Sequence, residues 1–264
     1  MEVESLKVII LAGGMGTRIS EESQVRPKPM VEIGEKPILW HIMKLYSYYG
    51  YNDFIICCGY KGHMIKEYFA NYYMQTSDLT FDFSDGNRRI IHNNIAEPWK
   101  VTLVDTGYAN MTGSRIKQVQ KYVPEGETFL CTYGDGLADI DINSLVDFHR
   151  KHGYIATVTA IQPGGRFGVM NIQDDMRVRS FVEKPKEDGN WISGGFFVFN
   201  YGVFNYIPEG NNVVFEQESM PRLAEEGELV AYKHRGFWQA MDTLRDKNLL
   251  DRLWNMGTAP WKVW

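Results

Sequence analysis

The sequence contains little cysteine and no long hydrophobic run. Three cysteines occur in 264 residues, with Cys57 and Cys58 side by side and Cys131 in another apolar stretch. This number and this spacing argue against a disulfide framework and a C-x-x-C metal site. No apolar run approaches the roughly 18 residues of a membrane-spanning helix, and the N-terminal MEVESLKVII lacks the basic and apolar regions of a signal peptide. We therefore expect free, buried thiols in a soluble cytoplasmic protein with no membrane partner.

The sequence also lacks an excess of positive charge. Its 28 lysine and arginine residues are outnumbered by 33 aspartate and glutamate residues, which gives a net charge of −5. This balance offers no long-range attraction to a polyanion, so we expect no nucleic acid partner. Any phosphate that the protein binds must be held by a local site. The 44% of hydrophobic residues can supply the core of an enzyme-sized globular fold.

Apolar runs alternate with helix-like segments along the first part of the chain. The runs are KVIIL at 7–11, DFIICCG at 53–59, VTLVD at 101–105, TFLCTYGD at 128–135 and IATVTAI at 155–161. Several are apolar at successive positions, as in strands that helices cover on both faces. The helix-like segments lie at 38–50, 63–73 and 142–153, the last with Asp141 or Asn143 as its N-cap and Gly153 as its end. This order predicts an α/β fold with a largely parallel, doubly wound sheet.

Other segments are expected to add to this sheet. Residues 76–100 alternate polar and apolar positions around an Asp85-Gly86 turn, which predicts an appended β-hairpin region. After residue 162, strand patterns with glycine-rich turns precede a C-terminal helix at 243–257. His149 and His152 lie one helical turn apart, and we interpret them as part of a solvated helix face rather than a metal site. The tryptophan-rich tail WNMGTAPWKVW is expected to pack on its own domain.

The segment LAGGMGTRIS, residues 11–20, is a candidate phosphate-binding loop. A Gly-Gly-x-Gly sequence after a strand frees several backbone N–H groups to point at one anion. The dinucleotide fingerprint requires a third glycine where Ile19 stands, and the Walker loop requires Gly-Lys-Ser/Thr where this sequence has Gly16-Thr17-Arg18. Both of these nucleotide-binding folds are therefore disfavoured.

Two cations accompany this loop. Arg18 lies inside it, and Lys28 follows ten residues later between Pro27 and Pro29. The prolines restrict the backbone on both sides of the lysine, which is a way to aim its long amine. A glycine-rich turn with a surface arginine and a surface lysine is the alternative interpretation.

LAGGMGTR followed by RPKPM resembles the signature of the sugar-phosphate nucleotidyltransferases, which condense a nucleoside triphosphate with a sugar 1-phosphate and release pyrophosphate. The resemblance implies the nucleotide-diphospho-sugar transferase fold, which is Rossmann-like with a doubly wound mixed sheet. It also implies that the loop wraps the triphosphate and that Arg18 and Lys28 act as catalytic residues by stabilising its charge. The implied nucleotide-binding residues are Leu11, Ala12, Gly13, Gly14, Met15, Gly16, Thr17, Arg18, Lys28, Thr112, Gly113, Arg115 and Gly134.

Asp135 is the last residue of FLCTYGD, just after the end of an apolar strand, at the edge where open α/β sheets bind ligands. Magnesium takes one or two carboxylates and completes its shell with water and phosphate oxygens. The resemblance pairs Asp135, a third catalytic residue, with Asp242 in GFWQAMDT as ligands of Mg2+. A tight turn at 134–136 and an N-cap role for Asp242 are the structural alternatives. Asp139 and Asp141 form a D-x-D pattern, but they lie several residues past the strand and are expected to start the next helix.

FVEKP at 181–185 and SGGFFVF at 193–199 match the family segments that receive the sugar phosphate. The implied sugar-phosphate-binding residues are Glu183, Lys184, Gly194 and Gly195.

We predict one domain over residues 1–264, because no linker or repeat divides the chain. Its nucleotide-binding part would cover about 6–160, its sugar-phosphate-binding part about 161–242, and its C-terminal helix and tail 243–264.

Segments along nearly the whole chain, among them KPILWHIMKLYSYYG and GFWQAMDTLRDK, resemble the family members that make CDP-glucose from CTP and α-D-glucose 1-phosphate for deoxysugar (O-antigen, lipopolysaccharide) biosynthesis. The implied chemistry is in-line attack of the sugar phosphate on the α-phosphorus of CTP, and similar enzymes are homo-oligomers. Spacing and charge do not separate CTP from dTTP, UTP or GTP. The competing functions are a metal-dependent glycosyltransferase that uses Asp139 and Asp141, and a catalytically silent module that senses nucleotide sugars.

Overall fold

Strands and helices form where the sequence patterns place them. The computed structural model describes residues 6–16, 25–163, 169–172, 178–182 and 191–264. The strands are β1 (Lys7–Leu11), β2 (Glu32–Ile33), β3 (Lys36–Pro37), β4 (Asp53–Cys58), β5 (Ser77–Asp82), β6 (Arg88–Asn94), β7 (Lys100–Asp105), β8 (Thr128–Tyr133), β9 (Gly136–Ala138), β10 (Ala156–Ile161), β11 (Val169–Ile172), β12 (Val178–Val182), β13 (Ile192–Asn200), β14 (Leu229–His234) and β15 (Trp238–Ala240). The α-helices are α1 (Ile38–Tyr48), α2 (Gly62–Gln75), α3 (Thr112–Gln118), α4 (Ile142–His152), α5 (Ser219–Glu225) and α6 (Leu244–Asn255). The strands and helices predicted for the first part of the chain and the C-terminal helix are confirmed, with ends that differ by one or two residues.

Seven strands form the central sheet, in the order β14-β10-β13-β8-β1-β4-β7. β1 runs parallel to both β4 and β8, β4 is parallel to β7, and β10 is parallel to β14. β13 runs antiparallel to β8 and β10, which makes the sheet mixed. The carboxyl ends of β1 and β8 therefore meet at one edge, beside the first residues of β13. The predicted doubly wound mixed sheet is confirmed.

Buried clusters lie on both faces of this sheet, which explains why its strands are apolar at successive positions. In β1, Val8 and Ile10 belong to one cluster together with Ile42 of α1, whereas Ile9 belongs to a second cluster with Ile116 of α3. These five side chains are at most 1% exposed. Removing both faces of a strand from water stabilises the fold in proportion to the apolar area buried.

The ends of α4 follow from its sequence. The carboxylate of Asp141 accepts a hydrogen bond from the backbone N–H of Ser144 at 3.0 Å, and Gly153 ends the helix with a φ of 71°. Of the two predicted N-caps, Asp141 is confirmed and Asn143 is wrong. The side chain of Asn143 instead accepts a hydrogen bond from the hydroxyl of Tyr51 at 3.0 Å.

The two histidines of α4 do not form a solvated face. His149 is 1% exposed, and its Nδ1 lies 2.8 Å from the hydroxyl oxygen of Thr157 in β10. Nε2 of His152 lies 2.7 Å from the same oxygen. The interpretation of these residues as solvent-facing is therefore wrong. Their spacing does place them on one face, but that face of the helix meets the sheet.

The segment predicted as a hairpin pairs β5 antiparallel with β6. Gly86 and Asn87 both have a φ of 61° in the connecting turn, a left-handed conformation that glycine and asparagine tolerate best. The hairpin is confirmed, and it forms a two-stranded sheet of its own rather than extending the central sheet.

The three cysteines are free and buried, as predicted. Burial raises the pKa of all three thiols, to about 11 for Cys58. The unreactive thiol form therefore dominates at neutral pH. Across the part of the chain that the structure describes, no helix has the length and apolar character that crossing a membrane demands.

The C-terminal tail packs on its own domain, as predicted. Trp261 is fully buried, and its ring stacks with those of Phe237 and Trp254 at centroid distances of 5.6 and 6.5 Å. Its indole nitrogen lies 3.4 Å from Nδ1 of His41, whose Nε2 lies 2.9 Å from the carbonyl oxygen of Ile33. Because an indole N–H only donates and a carbonyl only accepts, His41 is neutral and carries its proton on Nε2.

We expect His41 to make the stability of the protein depend on pH. Burial lowers the pKa of His41 from 6.5 to about 4. Below pH 6.5 the unfolded chain binds a proton that the folded chain does not accept until about pH 4. The free energy of unfolding should therefore fall across this range, by about 3 kcal/mol in all.

Urea denaturation between about pH 7 and pH 4.5 measures this loss. His41→Gln keeps a donor and an acceptor but removes the titrating ring. The free energy of unfolding should then depend less steeply on pH, by up to about 1.4 kcal/mol per pH unit, which corresponds to one proton. Equal slopes in the wild type and the variant would rule out His41 as the cause.

Candidate functional site

A pocket opens at the edge of the sheet where β1 and β8 end. Its volume is about 570 Å³, within the range of sites that hold small molecules. Chain segments that are far apart in the sequence meet here, as expected at the carboxyl edge of an α/β sheet. The predicted site residues that line the pocket are Leu11, Ala12, Gly13, Gly14, Gly16, Lys28, Thr112, Arg115, Gly134, Asp135, Gly194, Gly195 and Asp242.

Other predicted residues lie elsewhere. Met15 is in the glycine loop with 48% of its surface exposed. Gly113 is buried in α3, where its N–H donates to the carbonyl oxygen of Val213 at 2.9 Å. Four predicted residues lie outside the described residues: Thr17, Arg18, Glu183 and Lys184.

Glycine is required in the loop after β1 for two different reasons. A Cβ on Gly13 would lie 2.2 Å from Nη1 of Arg115, so a side chain there has no room. Gly16 has a φ of 62°, in the left-handed region that glycine adopts without strain. Gly14, between them, is exposed. The loop is thus fixed by Arg115 while part of its backbone stays open to a ligand.

Arg115 holds this loop through its backbone. The residue is 4% exposed, and its guanidinium donates to the carbonyl oxygens of Gly13 and Gly107, both at 2.9 Å. It also donates to the hydroxyl of Thr106 at 2.7 Å. Arg115 therefore ties the glycine loop to the loop that follows β7. The resemblance places this residue at the nucleotide, and the structure places it on the pocket wall with these hydrogen bonds made to the protein.

Lys28 brings the two predicted metal ligands together. Its Nζ lies 2.6 Å from Oδ2 of Asp135 and 2.7 Å from Oδ1 of Asp242. Lys28 starts a one-turn 3-10 helix, Lys28–Met30, which follows the extended Pro27 and contains Pro29, so its backbone is restrained on both sides as predicted. Burial on its own would lower the pKa of Lys28, but the two carboxylates outweigh burial and raise it, so the ammonium stays charged.

The structural alternatives for the two aspartates have different outcomes. The N-cap of α6 is Thr243, whose hydroxyl accepts the N–H of Asp246 at 3.2 Å in a capping box. The N-cap role for Asp242 is therefore wrong. Asp135 does lie in a two-residue turn, between β8 and β9, and that turn presents its carboxylate to Lys28.

Asp139 and Asp141 are engaged in other interactions. Asp141 caps α4, as the sequence predicts. Oδ1 of Asp139 lies 3.0 Å from Nε2 of His234. Neither residue is among the described residues that line the pocket. These positions disfavour a D-x-D metal pair in this chain.

One carboxylate of the pocket, Glu216, is not predicted from the sequence. It accepts hydrogen bonds from the hydroxyl of Thr112, at 2.7 Å, and from the hydroxyl of Tyr133. Burial and the nearby Glu216 charge raise the pKa of Tyr133, so this phenol keeps its proton and donates. Glu216 lies just before α5, in a segment whose local pattern carries no functional signal. It is held in place as an acceptor on the pocket wall.

Gly195 is expected to be sensitive to substitution because β13 passes close to Tyr133. Gly195 has a φ of 80°, and a Cβ there would lie 2.3 Å from Cδ2 of the Tyr133 ring. We expect Gly195→Ala to lower the free energy of unfolding by about 1–2 kcal/mol through its φ. Displacing the ring should add about 1–3 kcal/mol. Urea denaturation measures the sum.

Gly227→Ala is the matched control for this substitution. Gly227 has a φ of 76°, with nothing within 4 Å of the position of a Cβ. It should show the backbone cost alone and keep full activity, whereas Gly195→Ala should also lose activity because Gly195 and the displaced Tyr133 ring both line the pocket. If the two variants lost equal stability, the contact between Gly195 and the ring would have no energetic consequence.

The donor set at Lys28 suits a magnesium ion. Asp135 and Asp242 come from separate parts of the chain and direct carboxylate oxygens at one cationic group. Hard oxygen donors of this kind are the ligands that Mg2+ prefers. Among the described residues, no group of three or more His, Cys, Asp or Glu side chains could hold a metal ion. A site of two carboxylates, completed by phosphate oxygens and water, remains the arrangement that these residues fit.

Known proteins resemble the chain over nearly its whole length. The family model described as nucleotidyl transferase matches residues 7–249. The glucose-1-phosphate cytidylyltransferase of Salmonella typhi is 59% identical over 98% of this chain and 100% of its own. A probable glucose-1-phosphate cytidylyltransferase of Bacillus subtilis (strain 168) is 46% identical over the same shares, 98% and 100%. The range that matches the family model spans the glycine loop, Lys28, Asp135 and Asp242.

Solved structures share the fold at low sequence identity. HddC from Yersinia pseudotuberculosis superposes with a TM-score of 0.68 and 22% identity, covering 94% of this chain and 99% of that one. A UDP-glucose pyrophosphorylase complexed with UDP-glucose gives a TM-score of 0.68 at 16% identity, covering 96% and 99%. At this level of identity the likeness concerns the arrangement of the sheet and helices.

Proposed function

The chain belongs to the nucleotidyl transferase family, and on that premise we propose that it transfers a cytidylyl group from CTP to α-D-glucose 1-phosphate, giving CDP-glucose and pyrophosphate. The observation that carries the chemistry is the convergence of Lys28, Asp135 and Asp242 beside the glycine loop in one pocket. The choice of cytidine and glucose rests on the 59% identity with the Salmonella typhi enzyme.

The reaction in this pocket is a direct in-line displacement. An oxygen of the sugar phosphate forms a bond to the α-phosphorus of CTP, and the bond from that phosphorus to the β-phosphate oxygen breaks. Pyrophosphate leaves with the bonding electron pair. The attacking oxygen is already anionic, so no general base is needed. The protein must hold two anions together and offset the charge that develops between them.

The residues of the chain divide this work. The backbone after β1 is the candidate triphosphate cradle, with Arg115 fixing it from within the protein. The ammonium of Lys28 stabilises charge on the phosphates. Arg18, in the part of the loop outside the described residues, is proposed to share this role. Gly194 and Gly195 allow the sugar phosphate to approach closely. Lys184 is proposed to bind its phosphate and Glu183 a sugar hydroxyl; both lie outside the described residues.

Asp135 and Asp242 are proposed to hold Mg2+, because they are the carboxylates that meet at one position in the pocket. Bound magnesium would neutralise charge on the phosphate oxygens. Since Lys28 lies between these carboxylates, its charge is positioned for the same phosphates.

We also propose that the product serves deoxysugar biosynthesis, including that of the O-antigen of lipopolysaccharide.

Pyrophosphate release from a grid of nucleotides and hexose 1-phosphates tests this function. CTP with glucose 1-phosphate should be turned over much faster than dTTP, UTP or GTP with the same sugar. Faster turnover with another pair would keep the chemistry and replace the substrates. Transfer of a sugar to an acceptor without pyrophosphate would support a glycosyltransferase, and a lack of any turnover would support a module that only senses nucleotide sugars.

The chain is further proposed to form a homo-oligomer. Apolar side chains of the β5–β6 hairpin and the residues beside it are open to solvent: Phe81 is 47% exposed, Phe83 79%, Ile91 48% and Ile95 78%. A two-stranded sheet gains stability when such a face is covered. Light scattering of the purified protein should give a multiple of the chain mass, and Phe83→Ser should lower that multiple. Met256→Ser, at a residue 65% exposed outside the hairpin, is the control and should leave the mass unchanged.

A further inference from the structure

The two carboxylates proposed for magnesium already have a cation between them. Nζ of Lys28 is at 2.6 Å from Asp135 and 2.7 Å from Asp242, which are hydrogen-bonding distances to both. The Lys28 side chain is 10% exposed, whereas those of Asp135 and Asp242 are 31% and 20% exposed. The lysine side chain is thus less exposed than either aspartate, and its charge is neutralised by them.

A divalent cation and this ammonium compete for the same oxygens. Magnesium binds carboxylate oxygens at about 2.0–2.1 Å, so an ion that bridged both aspartates would occupy the space that the ammonium fills. The two cations also repel each other at such a distance. A metal ion that arrives alone therefore has to displace Lys28, whose side chain then needs another anion in a partly buried place.

A nucleoside triphosphate can supply that anion. Lys28 and the glycine loop line the same pocket, so a triphosphate bound at the loop would bring its oxygens into the pocket that the lysine shares. The triphosphate also carries its own metal ion and negative charge. Exchange of Lys28 from carboxylate to phosphate would then leave both cations paired with oxygen anions.

We propose that Lys28 is an internal counter-ion that prevents free divalent cations from binding to Asp135 and Asp242. A nucleoside triphosphate that binds in the pocket attracts the ammonium away and so makes the two carboxylates available. This inference rests on the proposed function, since it takes the two aspartates as the metal ligands. It assigns Lys28 a role before catalysis, which is to make metal binding depend on the nucleotide.

Binding of Mn2+ to the full-length, nucleotide-free protein tests the proposal, with free Mn2+ measured by electron paramagnetic resonance. Lys28→Met keeps an unbranched side chain that is one heavy atom shorter and removes its charge. We expect Lys28→Met to bind Mn2+ at least ten times more tightly than the wild type. In the double variant Lys28→Met/Asp135→Asn the gain should disappear, since one of the two carboxylates is lost.

Lys247→Met is the matched control, because Lys247 pairs with Asp251 at 2.7 Å on α6. It should bind Mn2+ like the wild type, and circular dichroism should show that all variants are folded. Equal Mn2+ affinity in the wild type and Lys28→Met would overturn the proposal. Tight Mn2+ binding by the double variant Lys28→Met/Asp135→Asn would overturn it as well. Pyrophosphate release by the wild type reports separately on the proposed function, so turnover without the Mn2+ difference would refute this inference alone.

Discussion

Lys28→Met is expected to lower kcat for pyrophosphate release by about two to three orders of magnitude, while the protein stays folded. The ammonium is the positive charge that the described residues place between Asp135 and Asp242 in the pocket. Charge that builds up on the phosphates during attack is offset most strongly by a group fixed in a partly buried place. Methionine is unbranched and only one heavy atom shorter than lysine, but it leaves the charge on the phosphates uncompensated. Steady-state kinetics with saturating CTP and glucose 1-phosphate measure the loss.

Two comparisons separate this effect from a general loss of structure. Lys247→Met removes a partly exposed lysine, 21% exposed against 10% for Lys28, from a Lys–Asp pair on α6 and should keep the wild-type kcat. Urea denaturation of Lys28→Met should show a cooperative transition like that of the wild type. An unchanged kcat in Lys28→Met would remove Lys28 from the mechanism.

Asp135→Asn and Asp242→Asn are expected to raise the magnesium concentration for half-maximal turnover at least tenfold. Each substitution keeps the size of the side chain and an oxygen donor but removes one negative charge from a site with two carboxylates. A hard divalent cation is bound mainly through such charges. Titrations of turnover with MgCl2 measure the shift. We expect kcat to fall as well, by about 10²-fold or more, because the charge on the phosphates is then less well neutralised.

Asp141→Asn is the control for these variants. Asp141 caps α4, and asparagine is an equally good N-cap, so the fold should be preserved. Its magnesium titration should match that of the wild type, whereas a glycosyltransferase with a D-x-D metal pair would lose metal dependence here. Titrations of Asp135→Asn and Asp242→Asn that coincide with the wild type would contradict the assignment of the metal ligands.

The fold is largely predictable because its signals are local. A strand buried on both faces is apolar at successive positions, and β1 shows this at Val8, Ile9 and Ile10. The end of α4 at Gly153 and its cap at Asp141 depend on residues beside the helix. Whether the face of α4 that carries His149 is buried does not depend on the local sequence. Helical spacing tells which residues share a face, but only the position of β10 decides that this face is buried.

The candidate site is less predictable because it depends on contacts between distant segments. Lys28 and Asp242 are separated by 214 positions in the sequence, yet Nζ and Oδ1 lie 2.7 Å apart. No spacing rule connects them. The prolines beside Lys28 mark it as a candidate in the sequence, whereas only the resemblance to a family assigns Asp242 to the site. Glu216 is a pocket residue that the sequence does not predict, for the same reason. Its partners Thr112 and Tyr133 are more than 80 positions away, so no motif marks it.

Arg115 shows that a resemblance can identify a residue at the site without identifying its contacts. Its guanidinium donates to Gly13, Gly107 and Thr106, which are protein groups. A guanidinium that fixes a loop and one that binds phosphate cannot be distinguished from the sequence, since both require an arginine beside glycines. Only the positions of the acceptors distinguish the two roles.

The stereochemical course at the α-phosphorus is the most direct test of the central claim, that the pocket holds CTP and glucose 1-phosphate together for one displacement. CTP carrying sulfur in one configuration at the α-phosphorus is converted with glucose 1-phosphate, and the configuration of the resulting CDP-glucose analogue is determined by 31P NMR. A single in-line attack predicts inversion of configuration. Retention would contradict the account, because it requires two displacements through an intermediate bound covalently to the protein.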